Sequence, residues 1–270
     1  MRKRFLLASL ICLFCWMNYP GIARAQLLIE EGKISRSLKP GETLTGKVIL
    51  NNTSDRELSI KAYWQDFVYT PPFDGGKKFL PAGTMPQTCA SWVNFFPQNF
   101  TLGPYGKKEI AYTVKFPAKP EGGYYGVLFF EDSTGQKSES TGISVVARLG
   151  CLFFLETAGS SRVAKISDLK ADQAKISGEI RNTSSIILIP KGIFYIMDNE
   201  GAIFDRGEVP AVYLPPDLGT SFSFSISDKV PPGEHTVVLT FDLGNEETLV
   251  QEIDFVKKED SSLEILQARD

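Results

Sequence analysis

Helical periodicity, long apolar runs and histidine are all scarce in this sequence, and each scarcity removes a class of protein. His235 is the only histidine. Zinc centres usually draw on several imidazoles, and a Ser-His-Asp triad would have to be built around this one ring. It follows "PPGE" at a strand start, where a solvated turn residue is expected. No G-x-S-x-G nucleophile elbow is present. Acidic residues are plentiful but scattered over turns, and spacing alone does not pair them as a glycosidase needs. "GETLTGKV" (41–48) comes close to the phosphate-binding loop G-x-x-x-x-G-K-[ST]. However, Val48 stands where the magnesium-binding hydroxyl belongs, and the stretch continues as a strand instead of opening a helix. The sequence offers no catalytic residue, no metal ligand set and no cofactor site. A non-enzymatic binding protein is expected.

A helix that crosses a bilayer needs about 20 apolar residues. The run from Phe5 to about Met17 is shorter, follows "MRKR", and leads into "NYPGIARA", which closes on the small-x-small pattern Ala23-Arg24-Ala25. Residues 1–25 are therefore expected to be a secretory signal, cleaved before Gln26. Cys12 and Cys15 lack the small-residue context of a lipid-modified cysteine, so no lipid anchor is expected. The other apolar stretch, "ISVVARLGCLFFLE" (143–156), is also too short to span, and Arg148 interrupts it. Cleavage removes Arg2, Lys3, Arg4 and Arg24 and no acid, which takes the net charge from −3 to −7. A mildly acidic surface argues against nucleic acid or anionic lipid as the main partner.

Cysteine is sparse as well. Of four, Cys12 and Cys15 leave with the signal, and Cys89 and Cys151 remain in an oxidising compartment. Either they form a disulfide, worth roughly 4 kcal/mol in the chain-entropy model for a loop this long, or they are two buried free thiols. Spacing does not decide between these.

What the sequence has is β-texture. Leu44, Gly46, Val48 and Leu50 alternate with polar neighbours, as do Leu58, Ile60, Ala62 and Trp64, and then Ile110, Tyr112, Val114 and Phe116. Such period-two runs place one face in a core and the other in water. "GETLTGKVILNNTSDRELSI" resembles "QAKISGEIRNTSSIILI" about 130 residues later: a strand with Gly, an Asn-Thr-Ser turn, and a second apolar strand. Asn and Ser supply turn geometry by bonding to their own backbone, although "NNTS", "NFT" and "NTS" also read as glycosylation sequons. The expected fold is all-β: two immunoglobulin-like β-sandwich domains in tandem, at residues 26–157 and 158–257, followed by a polar tail, 258–270. Only "SSLEILQARD" in that tail hints at a helical period, and it is expected to fray. "IFYIMDNEGAIFDRG" is expected to form a hairpin around Asp198–Gly201. The Gly/Pro-rich stretch "TPPFDGGKKFLPAGTMPQTCASW" (70–92) is an insertion carrying Phe73, Phe79, Met85 and Trp92. These side chains either make a sticky surface or, as expected here, cover one end of the first sandwich.

"FTLGPYGKKEIAYTVKFPAKPEGGYYGVLFFE" resembles the middle of a periplasmic PapD-like pilus chaperone domain, in which a turn opens an alternating strand, a Pro follows, and an aromatic strand precedes a long loop. This likeness covers roughly residues 30–155. The two-sandwich layout and "KPEGGYYGVLFF" (119–130) are also similar to the WxL-interacting surface proteins, whose usual C-terminal membrane helix has no counterpart here. Both resemblances imply binding: a chaperone for pilus or envelope proteins in the first case, a cell-surface adaptor for wall carbohydrate or another surface protein in the second. The chaperone resemblance implies β-addition at the last strand of the first domain, with Ile143, Val145, Ala147 and Leu149 on the partner-binding face. The competing reading places those residues in the sandwich core. The same resemblance implies a basic pair that holds a subunit's terminal carboxylate. Arg148 and Arg36 occupy roughly corresponding places without the family's local context. A periplasmic or cell-surface location follows from the expected signal, and oligomeric state is left open.

Overall fold

The computed structural model describes residues 26–133, 136–137, 144–198 and 200–269. All regular structure in them is β. Up to Thr157 the strands are β1 (Leu27–Ile29), β2 (Lys33–Leu38), β3 (Thr43–Asn52), β4 (Leu58–Tyr69), β5 (Lys77–Pro81), β6 (Val93–Phe96), β7 (Asn99–Leu102), β8 (Lys107–Lys115), β9 (Gly123–Asp132), β10 (Gln136–Lys137), β11 (Ser144–Val145) and β12 (Arg148–Thr157). They build a four-stranded sheet in the order β1-β3-β8-β6 and a six-stranded sheet in the order β2-β12-β9-β4-β5, with β7 also on β4.

The alternating runs account for the packing between these sheets. Val48, Leu50, Ile110 and Val114 come from one sheet, and Leu58, Ile60, Leu128, Phe130, Phe153 and Leu155 from the other; all sit in one buried cluster. Gly46 interrupts the first run because the Tyr112 ring occupies its side-chain space: a Cβ there would lie 2.4 Å from the Tyr112 hydroxyl oxygen. Cys89 and Cys151 are free thiols in this same core, so the possible disulfide is not formed. The reason is topological. Cys151 lies on β12, on one flank of β9, while Thr88 bridges Tyr125 on the opposite flank. Two strand spacings of about 4.8 Å each separate the chains, beyond the roughly 7 Å limit between Cα atoms for a disulfide.

The second sandwich comprises β13 (Ala164–Asp172), β14 (Lys175–Asn182), β15 (Lys191–Met197), β16 (Ile203–Val209), β17 (Gly219–Ser225), β18 (Gly233–Gly244), β19 (Glu247–Lys257) and β20 (Leu263–Arg269). Its sheets run β13-β14-β17 and β16-β15-β18-β19-β20. The β15–β16 hairpin closes with Asp198 N donating to Ala202 O and Gly201 N donating to Asp198 O, with Gly201 at φ 85°. Two expectations need correction. The stretch expected to fray is strand β20, paired antiparallel with β19 across one register shift at Asp254/Phe255 and pinned by Arg269 against Asp254 and Glu252. His235 is buried, not solvated: it shares the inward phase of Val237, Leu239 and Phe241 on β18, lies between the Phe204 and Phe255 rings, and its Nε2 is 2.8 Å from Pro231 O.

The sequence repeat is realised as the same turn in both sandwiches. Asn52 Oδ1 accepts from Ser54 N and Oγ, and its Nδ2 donates to Arg56 O, Leu102 O and Gly103 O. Asn182 Oδ1 accepts from Ser184 N and Oγ, and its Nδ2 donates to Ile186 O and Leu214 O. Both side chains are buried and their amide nitrogens are engaged, so these "NTS" triplets act as turn locks.

The two sandwiches meet along the outer face of the six-stranded sheet. Phe67, Tyr69, Tyr125, Val127 and Phe154 point away from the first core and join the second core's cluster. Phe73, from the 70–92 insertion, is buried there too. Ile187 N donates to the Tyr125 hydroxyl at 2.6 Å, Gly123 N to Ser185 O, and Tyr213 N to Phe73 O, while Tyr69 and Tyr213 stack at 4.9 Å. The insertion thus splits its aromatic side chains. Phe73 seals the seam, Trp92 packs on Phe116 and Tyr124, and Phe79 stays partly exposed.

Candidate functional site

The site is the flank of β12 opposite β9. From Arg148 to Glu156, β12 pairs antiparallel with β9. On its other side it meets β2, parallel, only from Leu152 to Thr157. The limit is set by β2's own path: β1 lies on β3 in the other sheet, and the chain crosses between sheets at Glu30–Gly32 before it can reach β12. Leu152 N donates to Gly32 O at 2.9 Å. Main-chain direction alternates along a strand, so the N–H and C=O groups of Gly150 and Arg148 face the same flank, where no strand is hydrogen-bonded to them among the described residues. Beyond Arg148 the β9–β12 hairpin continues as β10 and β11, paired Gln136 to Val145 and Lys137 to Ser144. An edge of this kind is a template for another chain's backbone.

Ile143 lies outside the described residues, and Val145 is placed by its pairing with Gln136. Ala147 is exposed, its carbonyl accepting from Asp132 N at 3.0 Å. Leu149 is half-buried and packs on the first core, in the same phase as Cys151, Phe153 and Leu155. The edge is therefore anchored at one end by Leu149 and open at Ala147. Cys151 Sγ donates to Glu31 O at 3.2 Å, and burial pushes this thiol up to about 12.

The two arginines are not brought together. Arg36 pairs in register with Leu155, on the inward phase, and sits 3.9 Å from Glu31. Arg148 lies seven positions away along β12, about 23 Å at 3.3 Å per residue, on the outward phase. There its guanidinium lies 4.1 Å from the Phe129 ring centroid and 5.5 Å from that of Phe79, and Nη1 donates to the Tyr63 hydroxyl at 3.3 Å. Burial pushes that hydroxyl's pKa up. The aromatic surroundings of Arg148 were not singled out from the sequence. The signal was present in β9, "GYYGVLFFED", whose apolar residues occupy both phases, the pattern of a strand covered on both faces.

No family model and no curated protein matches the chain. Solved structures do. A chain from a chaperone–tip adhesin complex of CFA/I fimbriae biogenesis is similar at 17% identity and a TM-score of 0.50, covering 84% of this chain and 98% of that one. The class 5 fimbriae chaperone CfaA is similar at 19% identity and a TM-score of 0.50, with the same coverage. The chain therefore has the two-domain, all-β fold of the PapD-like fimbrial chaperones.

Proposed function

We propose that this chain is a non-enzymatic chaperone for pilus-type or other envelope proteins, working in the periplasm by accepting a partner's strand along the open flank of β12. The observation that carries this is the run of main chain at Arg148 and Gly150 that no strand pairs with among the described residues, created because β2 reaches β12 only at Leu152. Affinity then comes from main-chain bonds, and selectivity from the alternate side chains Ile143, Val145, Ala147 and Leu149. Two units, 26–157 and 158–257, hold the strand's surroundings in place, with β20 extending the second. The two similar structures support the reading, since their own descriptions name a chaperone.

The experiment is affinity capture from a periplasmic extract, with the mature chain as bait and purified wall material as the competing ligand. Recovery of a β-rich subunit, together with slowed amide exchange at Arg148 and Gly150 in the complex, is the expected result. Retention on wall material with no protein partner, or exchange at those amides unchanged on binding, would overturn it.

A further inference from the structure

Beside the open edge, on the outward face of the six-stranded sheet, four strands converge on one patch. β12 contributes Arg148, β9 Phe129 and Glu131, β4 Lys61 and Tyr63, and β5 Phe79. Phe79 meets Phe129 edge to face at 4.9 Å, and Tyr63 meets Phe129 at 5.8 Å. Arg148 lies over this aromatic floor, and Lys61 Nζ lies 5.9 Å from the Tyr63 ring centroid. Both cations are exposed, and Phe79 is 36% exposed. Among the described residues of the patch the single acid, Glu131, has one oxygen occupied by the Tyr63 hydroxyl at 2.7 Å. Two cations thus face one carboxylate, a local excess of positive charge on a chain whose net charge is −3.

The patch is continuous with the edge. A Cβ on Gly150 would lie 2.8 Å from Val127 Cγ2 and 2.9 Å from Phe129 Cε1, so glycine lets the Phe129 ring reach the main chain of β12. A strand added to β12 must turn alternate side chains to opposite faces. One set meets Leu149 and the inward phase. The other stands within about 5 Å, Cβ to Cβ, of Arg148. A guanidinium resting on rings is weakly hydrated and keeps an edge free to fork a carboxylate.

We propose that this platform selects partners whose added strand is apolar on one face and carries Asp or Glu on the other. It rests on the strand-addition reading above and specifies the partner class. It differs from capture of a terminal carboxylate by an arginine pair, because Arg36 is on the opposite face.

The test uses two terminally blocked peptides of alternating Val and polar residues, identical except that one carries Glu and the other Gln at the polar positions. Binding to the full mature chain is read by fluorescence anisotropy. Blocking removes any terminal carboxylate. The Glu peptide is expected to bind at least about tenfold more tightly at low salt, with the advantage shrinking at high salt and vanishing in an Arg148→Gln/Lys61→Gln variant, whose substituted side chains are exposed. A second variant, Phe79→Ser, should reduce the same preference. Equal affinity of the two peptides, or a preference that survives both variants, overturns the platform. If Val145→Lys/Ala147→Lys weakens both peptides alike while neither is preferred, strand addition stands and the platform falls. Binding of neither peptide overturns both.

Discussion

Replacing Val145 and Ala147 with Lys separates an interaction edge from a core strand. Ala147 is exposed, and Val145 pairs with Gln136 in the two-stranded β10–β11 ladder, outside both sandwich sheets, so the substitutions are expected to leave the two cores intact. Surface changes of this kind usually stay within about 0.5 kcal/mol each. At about 2–4 °C per kcal/mol for a chain of this size, the unfolding temperature should move by no more than about 4 °C. In a complex, each apolar contact becomes an ammonium that must shed water, a loss of roughly 1–2 kcal/mol per position. Together that is about 2–4 kcal/mol, or about 30- to 1,000-fold in affinity. Titration of the captured subunit measures one quantity and calorimetry the other. Phe153→Ala is the opposite control: Phe153 is fully buried, so its truncation should cost about 3–5 kcal/mol and lower the unfolding temperature by about 10 °C. If the Lys variant melts like the Phe153 variant, or binds its partner with unchanged affinity, Val145 and Ala147 are not interaction residues.

Three further outcomes are expected. Cys89 and Cys151 are buried and burial pushes both thiols up, so a thiol reagent should leave the native chain untouched at mildly alkaline pH and label both in denaturant; rapid native labelling would contradict the burial. Asn182→Ala should destabilise by about 1–3 kcal/mol, because it leaves the buried Ser184 N–H without its acceptor and removes a donor from the Ile186 and Leu214 carbonyls, whereas Asn51→Ala, at a surface hydrogen bond to Glu30, should be near neutral in thermal unfolding. The Asp254 carboxyl is held below its ordinary value first by its hydrogen bond to Arg269 and then by Thr236. A depressed carboxylate stabilises above its unfolded pKa and loses that contribution as pH falls through the folded one. Amide exchange in β20 should therefore quicken on acidification, and Arg269→Gln should weaken that pH dependence, leaving the part due to Thr236.

The clean alternation of "KKEIAYTVK" in β8 made its inward residues readable, since one side faces water and the other a core. The Asn-Thr-Ser turns were equally readable, because their hydrogen bonds close within a few residues. His235 and β20 were misjudged for the opposite reason. A turn context says nothing of Phe204 and Phe255 closing over the ring from other strands, and a polar segment gives no sign that β19 has a free edge for it. The partial cover of β12 by β2 is not legible in the sequence. Nothing local to residues 143–149 encodes it, because it depends on where β2, more than a hundred residues earlier, makes contact.

The residue order by itself settled the alternating strands β3, β4 and β8, their inward faces and the two paired Asn turns, because period-two alternation and side chain-to-backbone bonds act over a few residues. Tertiary structure alone decided that Cys89 and Cys151 stand on opposite flanks of β9, that Arg36 and Arg148 face opposite ways, and that β12 is half covered. Each of these is fixed by which distant strand lies alongside. Strand pairing brings residues together through space, and a linear pattern does not contain that distance.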